Sequence, residues 1–120
     1  MSNSTRHIGN EGESRACTHF ESLGFKIRER NWRHRHDEID IIAENDSFIV
    51  FAEVKTRFSA AFGEPEVFVT RKKQSFMIRA ANEYLTRHQI DKEARFDIIA
   101  ITLNQGGKLH HICDAFYPLL

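Results

Sequence analysis

Only two cysteines, two prolines and one tryptophan occur in the 120 residues, and these shortages remove several architectures from consideration. Cys17 and Cys113 are far apart and belong to no Cys-x-x-Cys pair, so the pattern suggests neither a disulfide framework nor a zinc ribbon, and both read as buried apolar fillers. No apolar run approaches the ~20 residues of a membrane span. The opening Met1-Ser2-Asn3-Ser4-Thr5-Arg6-His7 lacks the apolar stretch of a secretion signal, so a cytoplasmic protein with no membrane partner is expected. An overall basic excess, the usual mark of nucleic-acid binding, is missing too: 17 Lys and Arg balance 17 Asp and Glu. Repeats and low-complexity tracts are also absent.

What is present is an ordinary globular composition, with 41% hydrophobic and 28% charged residues, in a chain of the length of one domain spanning 1–120. The positive charge is clustered. Residues 26–36 hold Lys26, Arg28, Arg30, Arg33 and Arg35 against the single acid Glu29, and Arg71-Lys72-Lys73 forms a second group.

Periodicity gives the elements. The first ten residues are polar and aperiodic and read as disordered. Ala16, Cys17, Phe20 and Leu23 recur at helical spacing over Glu11 to Leu23, with Gly24 as the C-terminal stop. Phe25 to Trp32 reads as a strand with Phe25 and Ile27 inward. Asp40 to Arg57 reads as a hairpin turning at Asn45-Asp46. A long connection over 57–69 carries Phe58, Phe62, Gly63 and Pro65. Thr70 is placed to cap a helix reaching about His88, with the stripe Met77, Ala80, Ala81 and Tyr84. Arg95 to Leu103 reads as a strand, and Asn104-Gln105-Gly106-Gly107 turns into a last strand, Lys108 to Ile112. The order is α-β-β-β-α-β-β, which by itself gives α/β or α+β.

Chemistry is expected in the hairpin. Phe48-Ile49-Val50-Phe51-Ala52 has the unbroken apolar character of a strand buried on both faces, yet Glu53 and Lys55 follow at its end. Burying charges there is costly unless something compensates them, and a divalent cation would. With an even turn, Asp40 pairs across the hairpin with Phe51 and lies diagonal to Glu53, roughly 7–8 Å away and able to share an ion. An odd turn would send Asp40 to the other face. Two carboxylates, a carbonyl between Glu53 and Lys55 and waters make an all-oxygen site suited to Mg2+ or Mn2+, with Lys55 beside it to hold or activate a water. The competing view is an exposed Glu-Lys pair of little energetic weight.

This Asp…Glu-x-Lys arrangement resembles the core motif of the restriction-endonuclease-like nucleases, written PD-(D/E)xK, a superfamily that includes archaeal Holliday-junction resolvases. More specifically the chain resembles the uncharacterised YraN-like family of predicted endonucleases. The matching segments are Gly9-Asn10-Glu11-Gly12-Glu13, Asn31-Trp32-Arg33, Glu38-Ile39-Asp40-Ile41-Ile42, Phe51-Ala52-Glu53-Val54-Lys55-Thr56-Arg57, Gly63 to Val69, and Arg95-Phe96-Asp97. In one place the chain departs from the family, carrying Asp37 where the family has glycine before Glu-Ile-Asp.

The resemblance implies a restriction-endonuclease-like α/β core, a mixed sheet flanked by helices. It also implies a metal-dependent endonuclease acting on nucleic acid, DNA and conceivably branched DNA. Catalytic roles would fall to Glu13, Asp40, Glu53 and Lys55, and metal ligation to Asp40, Glu53 and the Val54 carbonyl. Asn10-x-x-Glu13 alternatively resembles a capping box, with Glu13 bonding the helix start. The alternative function is a non-catalytic nucleic-acid-binding module of the same fold. Arg33, Arg35, Arg57, Arg71, Lys72 and Lys73 are the candidate phosphate contacts. A symmetric junction would call for a homodimer. Trp32 and Phe62 could stack on bases, although packing is the commoner fate of a tryptophan. His34 and His36 are too few to make a zinc site, and His110-His111 read as strand residues without chemistry.

Overall fold

The computed structural model describes residues 2–57, 69–104 and 107–118, with side chains from residue 9 onward. Its elements run α1 (Ser2–Ser22), β1 (Lys26–His34), β2 (Asp37–Glu44), β3 (Phe48–Arg57), α2 (Arg71–Arg87), β4 (Glu93–Thr102) and β5 (Lys108–Phe116). The expected order and mixed α/β class are both found. The five strands lie in the sheet in sequence order, antiparallel throughout except for the parallel pair β3 and β4. A parallel pair needs a crossover, and residues 58–92, which include α2, supply it. Most of the connection expected over 57–69, with Phe58, Phe62, Gly63 and Pro65, lies outside the described residues, as does part of the 104–107 turn.

Alternation on the strands divides the interior in two. Ile49 and Phe51 of β3 join Ile42, Phe96 and the α2 stripe Met77, Ala80, Ala81 and Tyr84. Val50 and Ala52 face the other way, toward Ala16, Cys17 and Phe20 of α1. The helices therefore cover opposite faces, which is why Phe48–Ala52 needs no polar position.

The helix ends follow local chemistry. Gly24 takes φ +91, its N–H donates to the Glu21 carbonyl, and the Phe25 N–H donates to the Phe20 carbonyl. This is a Schellman motif, closed by the Phe20 and Phe25 rings 5.6 Å apart. At α2 the expected cap is present: Thr70 Oγ1 accepts the Lys73 N–H at 3.2 Å. At the other end of the chain the expectation of disorder is corrected, because α1 begins at Ser2 rather than Glu11. Once a helix is anchored by packed residues such as Ala16 and Phe20, each further turn adds hydrogen bonds without a new nucleation cost.

Two glycines of α1 behave differently. A Cβ at Gly12 would overlap Thr56 Oγ1 and come within 3.0 Å of both Thr56 carbons, whereas one at Gly9 would meet nothing within 4 Å. Gly12→Ala is therefore expected to destabilise the fold by about 1–3 kcal/mol through overpacking, despite alanine's higher helix propensity. Gly9→Ala should stabilise it by about 0.5–1 kcal/mol. Thermal melts of the two variants check the opposite signs.

Candidate active site

The β2–β3 turn sets the register of the site. Asn45 Oδ1 accepts the Ser47 and Phe48 N–H groups at 2.9 and 2.7 Å, and the Asn45 N–H donates to the Phe48 carbonyl. Asn45 is thus the first residue of the turn, and Asp46-Ser47 are its centre, which corrects the expected Asn45-Asp46 turn. The side chain of asparagine, by mimicking a backbone acceptor, moved the turn on by one residue. The number of turn residues stays even. The partner of Phe51 becomes Ile42 instead of Asp40, and the last pair before Asp40 is Ile41 with Ala52.

Pairing between β2 and β3 stops at Ile41 and Ala52, while β3 keeps pairing with β4 as far as Arg57. Beyond Ala52, then, one edge of β3 is open. Asp40 fills the gap, with Oδ2 accepting the Val54 N–H at 2.7 Å. Burial pushes the Asp40 carboxyl up to about 8, with the adjacent Glu53 and, more weakly, Glu13 adding to the rise against the Val54 bond. Glu53 Oε1 is buried and has no hydrogen-bond partner among the described residues. Lys73 Nζ stands 3.7 Å from that oxygen, close enough for charge attraction and too far for a hydrogen bond. Glu13 reaches the same neighbourhood from α1, its Oε1 accepting from Asn31 Nδ2 at 3.0 Å with Arg30 3.7 Å away. The capping-box alternative for Glu13 does not hold, because Asn10 lies well inside α1.

Acidic side chains from α1, β2 and β3 thus lie close enough to act on one another, with Arg30 and Lys73 each 3.7 Å from one of them. An unpartnered buried carboxylate oxygen beside a carboxyl raised by burial and by its acidic neighbours is an arrangement that either a shared proton or a cation would compensate. The donors are all oxygen, which fits Mg2+ or Mn2+ held by Asp40 and Glu53 with a backbone carbonyl such as that of Val54. Lys55 follows Glu53 by two positions and shares its face by strand alternation.

The remaining candidates are spread more widely. Arg71 and Lys72 are exposed in the first turn of α2, which carries no acid. Arg33 is paired with Glu38 at 2.7 Å, and Arg35 takes φ +59 in the turn between β1 and β2. Arg57 ends β3, its carbonyl accepting the Leu103 N–H. Asp37 adopts no left-handed backbone and is neutralised by Arg79 at 3.2 Å, so the glycine it replaces is not needed for the turn here. Trp32 packs edge-to-face on Tyr84, with ring centres 5.1 Å apart.

Two expectations fail elsewhere. Cys113 is exposed rather than buried. His111 is not a bystander: its Nε2 lies 2.7 Å from Asp97 Oδ2 and its Nδ1 2.9 Å from His19 Nε2. The residues that engage it come from β4 and α1, so no local pattern around His110-His111 announces it.

The Asp40 titration carries a testable sign. Its folded pKa of about 8 lies above the ordinary carboxylate value near 4. The group's contribution to stability is therefore fully present below about pH 4 and is lost as pH rises through about 8. With chelator present, Asp40→Asn should be more stable than wild type near pH 8, by about 1 kcal/mol or more, and lose the advantage toward pH 4. Melts across this range decide; a gap independent of pH would show that Asp40 is ionised throughout.

Among the described residues no helix is long and apolar enough to cross a membrane. The family model described as "Uncharacterised protein family UPF0102" matches residues 12–101, a span containing Glu13, Asp40, Glu53, Lys55 and Lys73. A UPF0102 protein of Geobacter metallireducens is 45% identical over 97% of both chains. One from Bacteroides thetaiotaomicron is 42% identical over 94% of both, and one from Flavobacterium johnsoniae is 42% identical over 92% of this chain and 94% of its own. With that coverage, and with a family match that takes in every carboxylate of the site, the chain belongs to the UPF0102 family.

Proposed function

We propose that this protein is a divalent-metal-dependent endonuclease that hydrolyses phosphodiester bonds in nucleic acid, with DNA as its substrate. The observation that carries the reading is the buried, unpartnered Glu53 Oε1 beside an Asp40 carboxyl pushed up to about 8. Mg2+ or Mn2+ held there would supply positive charge to a phosphate and acidify water.

The chain's own residues do the rest. Asp40 is fixed by the Val54 N–H, so one ligand is oriented before anything binds. Lys55, on the face of Glu53, holds the attacking water against the phosphorus and offsets the charge that develops on the phosphate oxygens. Glu13, anchored by Asn31, orients water from the α1 side. Lys73 has a double allegiance: it attends Glu53 when no cation is present and is free to turn to phosphate when one is. The basic first turn of α2 opposes the helix dipole on its own account. An anion at that position reverses the sign, drawing on both the free N–H groups and the side chains.

A cleavage screen over single-stranded, duplex, flap and four-way DNA, with and without Mn2+, tests the proposal. Metal-dependent cutting of one of these is the expected result. Binding without cutting would leave the non-catalytic module, and no ion binding at millimolar levels would remove the metal site. For a duplex ligand each phosphate contact contributes about −0.9 to the slope of log affinity against log salt, so Arg71→Ala with Lys72→Ala should flatten that slope by up to about two units. An unchanged slope would place the nucleic acid elsewhere.

A further inference from the structure

On the α1 face of the sheet, β4 and β5 bring Asp97, His111 and Cys113 together, with all three ligating atoms within 4.8 Å of one another. They are the only such trio found among the described His, Cys, Asp and Glu side chains. We propose that they form a Zn2+ site, chemically separate from the all-oxygen site at Asp40 and Glu53.

The geometry is close to what zinc needs. A tetrahedral ion with Zn–S about 2.3 Å and Zn–N about 2.0–2.1 Å implies an N···S edge of about 3.5 Å. Cys113 Sγ lies 3.5 Å from His111 Nε2. The Asp97 Oδ2 to Nε2 distance is 2.7 Å, a hydrogen bond that must open to about 3.3 Å when an ion takes the place of the proton between them.

The backbone is arranged for this. β5 bulges between its pairings to Phe96 and Ile98, and at the bulge Asp114 is held at φ +54 with its N–H on Asp97 Oδ1 at 3.0 Å. Such a bulge re-aims side chains, and a strained non-glycine residue needs a reason to persist. Here the result is that Cys113 flanks His111.

The surrounding shell is also of the kind that orients metal ligands. Arg95 donates to both Asp97 oxygens, at 2.9 and 2.8 Å, and fixes the carboxylate plane. His19 Nε2 lies on His111 Nδ1. Without metal, ionised Asp97 accepts the His111 Nε2–H, so His111 Nδ1 accepts from His19. With metal on Nε2 the proton of His111 resides on Nδ1 and donates to His19 Nε2, and the His19 proton moves to its own Nδ1. The thiol proton of Cys113 leaves to solvent, so the net release is one proton per ion. Asp97, the Cys113 thiolate and the neighbouring Asp114 then all act on Arg95, and a dication offsets the negative charge that the thiolate adds. Nitrogen and sulfur donors favour Zn2+ over Mg2+, so the two sites select different ions.

Co2+ added to the full, thiol-reduced protein reads the site directly. The expected result is a thiolate-to-cobalt charge-transfer band with tetrahedral visible bands, saturating at one equivalent, bleached by Zn2+ and unaffected by excess Mg2+. Cys113→Ser should lose the charge-transfer band, and because Cys113 is exposed that variant folds. Asp40→Asn should keep the band, which separates this site from the proposed nuclease centre. His19→Gln should keep it with affinity lowered about 10–100-fold. No thiolate band in wild type overturns the proposal, as does an equal band in Cys113→Ser, which would trace it to Cys17.

Discussion

Asp40→Asn and Glu53→Gln are each expected to abolish cleavage and to reduce Mg2+ or Mn2+ binding below detection at millimolar concentrations, whereas Lys55→Ala should stop turnover with ion affinity nearly unchanged. The asymmetry follows from what each group can do. In the proposed site the carboxylates are the donors, and Glu53 Oε1 is the one with no partner among the described residues. Lys55 is a cation and cannot ligate one; in the proposed mechanism its loss removes water positioning and charge stabilisation, with an expected cost of about 10²–10⁴ in rate. Calorimetric titration beside a cleavage assay resolves the two classes. Equal ion affinity in wild type and Asp40→Asn would take Asp40 out of the site, and ion affinity lost in Lys55→Ala would mean that the lysine organises the carboxylates rather than the reaction.

The second large effect concerns stability. Asp97 is completely buried, and it bonds Arg95 through both oxygens, His111 and the Asp114 N–H. Burial alone would raise its carboxyl, but the His111, Arg95 and Asp114 bonds outweigh it and hold the group below the ordinary range. Asp97→Ala strands a largely buried guanidinium and a backbone donor, a loss of about 3–5 kcal/mol. The melting midpoint should fall by at least about 10 °C with metal absent. Arg33→Ala breaks an ion pair whose arginine is 75% exposed, and it should change stability by no more than about 0.5 kcal/mol. Similar losses in the two variants would mean that the Asp97 network relaxes to admit water.

How far the fold could be read from sequence varied with how local its causes are. The α2 stripe Met77, Ala80, Ala81 and Tyr84 is fully buried as its spacing predicts, and the capping by Thr70 needs only three residues of context. The apolar run ending in Glu53 and Lys55 marked β3 because the contradiction between burial and charge lies in the chain itself. The turn at Asn45 was misplaced by one residue, since asparagine can serve as its first or its second position. β5 was expected to end at Ile112 and runs to Phe116, since the bulge at Asp114 breaks the alternation by which a strand is followed. Leu23 fits the α1 stripe by spacing yet is 51% exposed, because the helix ends beneath it. What sequence could not give was assembly across elements: Glu13 beside Asp40, Lys73 beside Glu53, and His111 between Asp97 and His19.

The apolar strand at the centre of the sheet also bears on how the chain avoids aggregation. β3 pairs with β4 only after a long crossover, the partners Phe48 and Glu93 lying 45 positions apart, and non-local parallel pairing of this kind forms late. Until then Phe48 to Ala52 presents a proline-free, uncharged segment of high β-propensity, the composition of a cross-β zipper. Asp46 on one side and Glu53 with Lys55 on the other are the charges that interrupt it. Glu53, proposed to hold a metal ion in the finished protein, is therefore also, with Asp46 and Lys55, a gatekeeper of its least soluble strand while it folds, and neutralising Glu53 extends that strand at the moment it is most exposed.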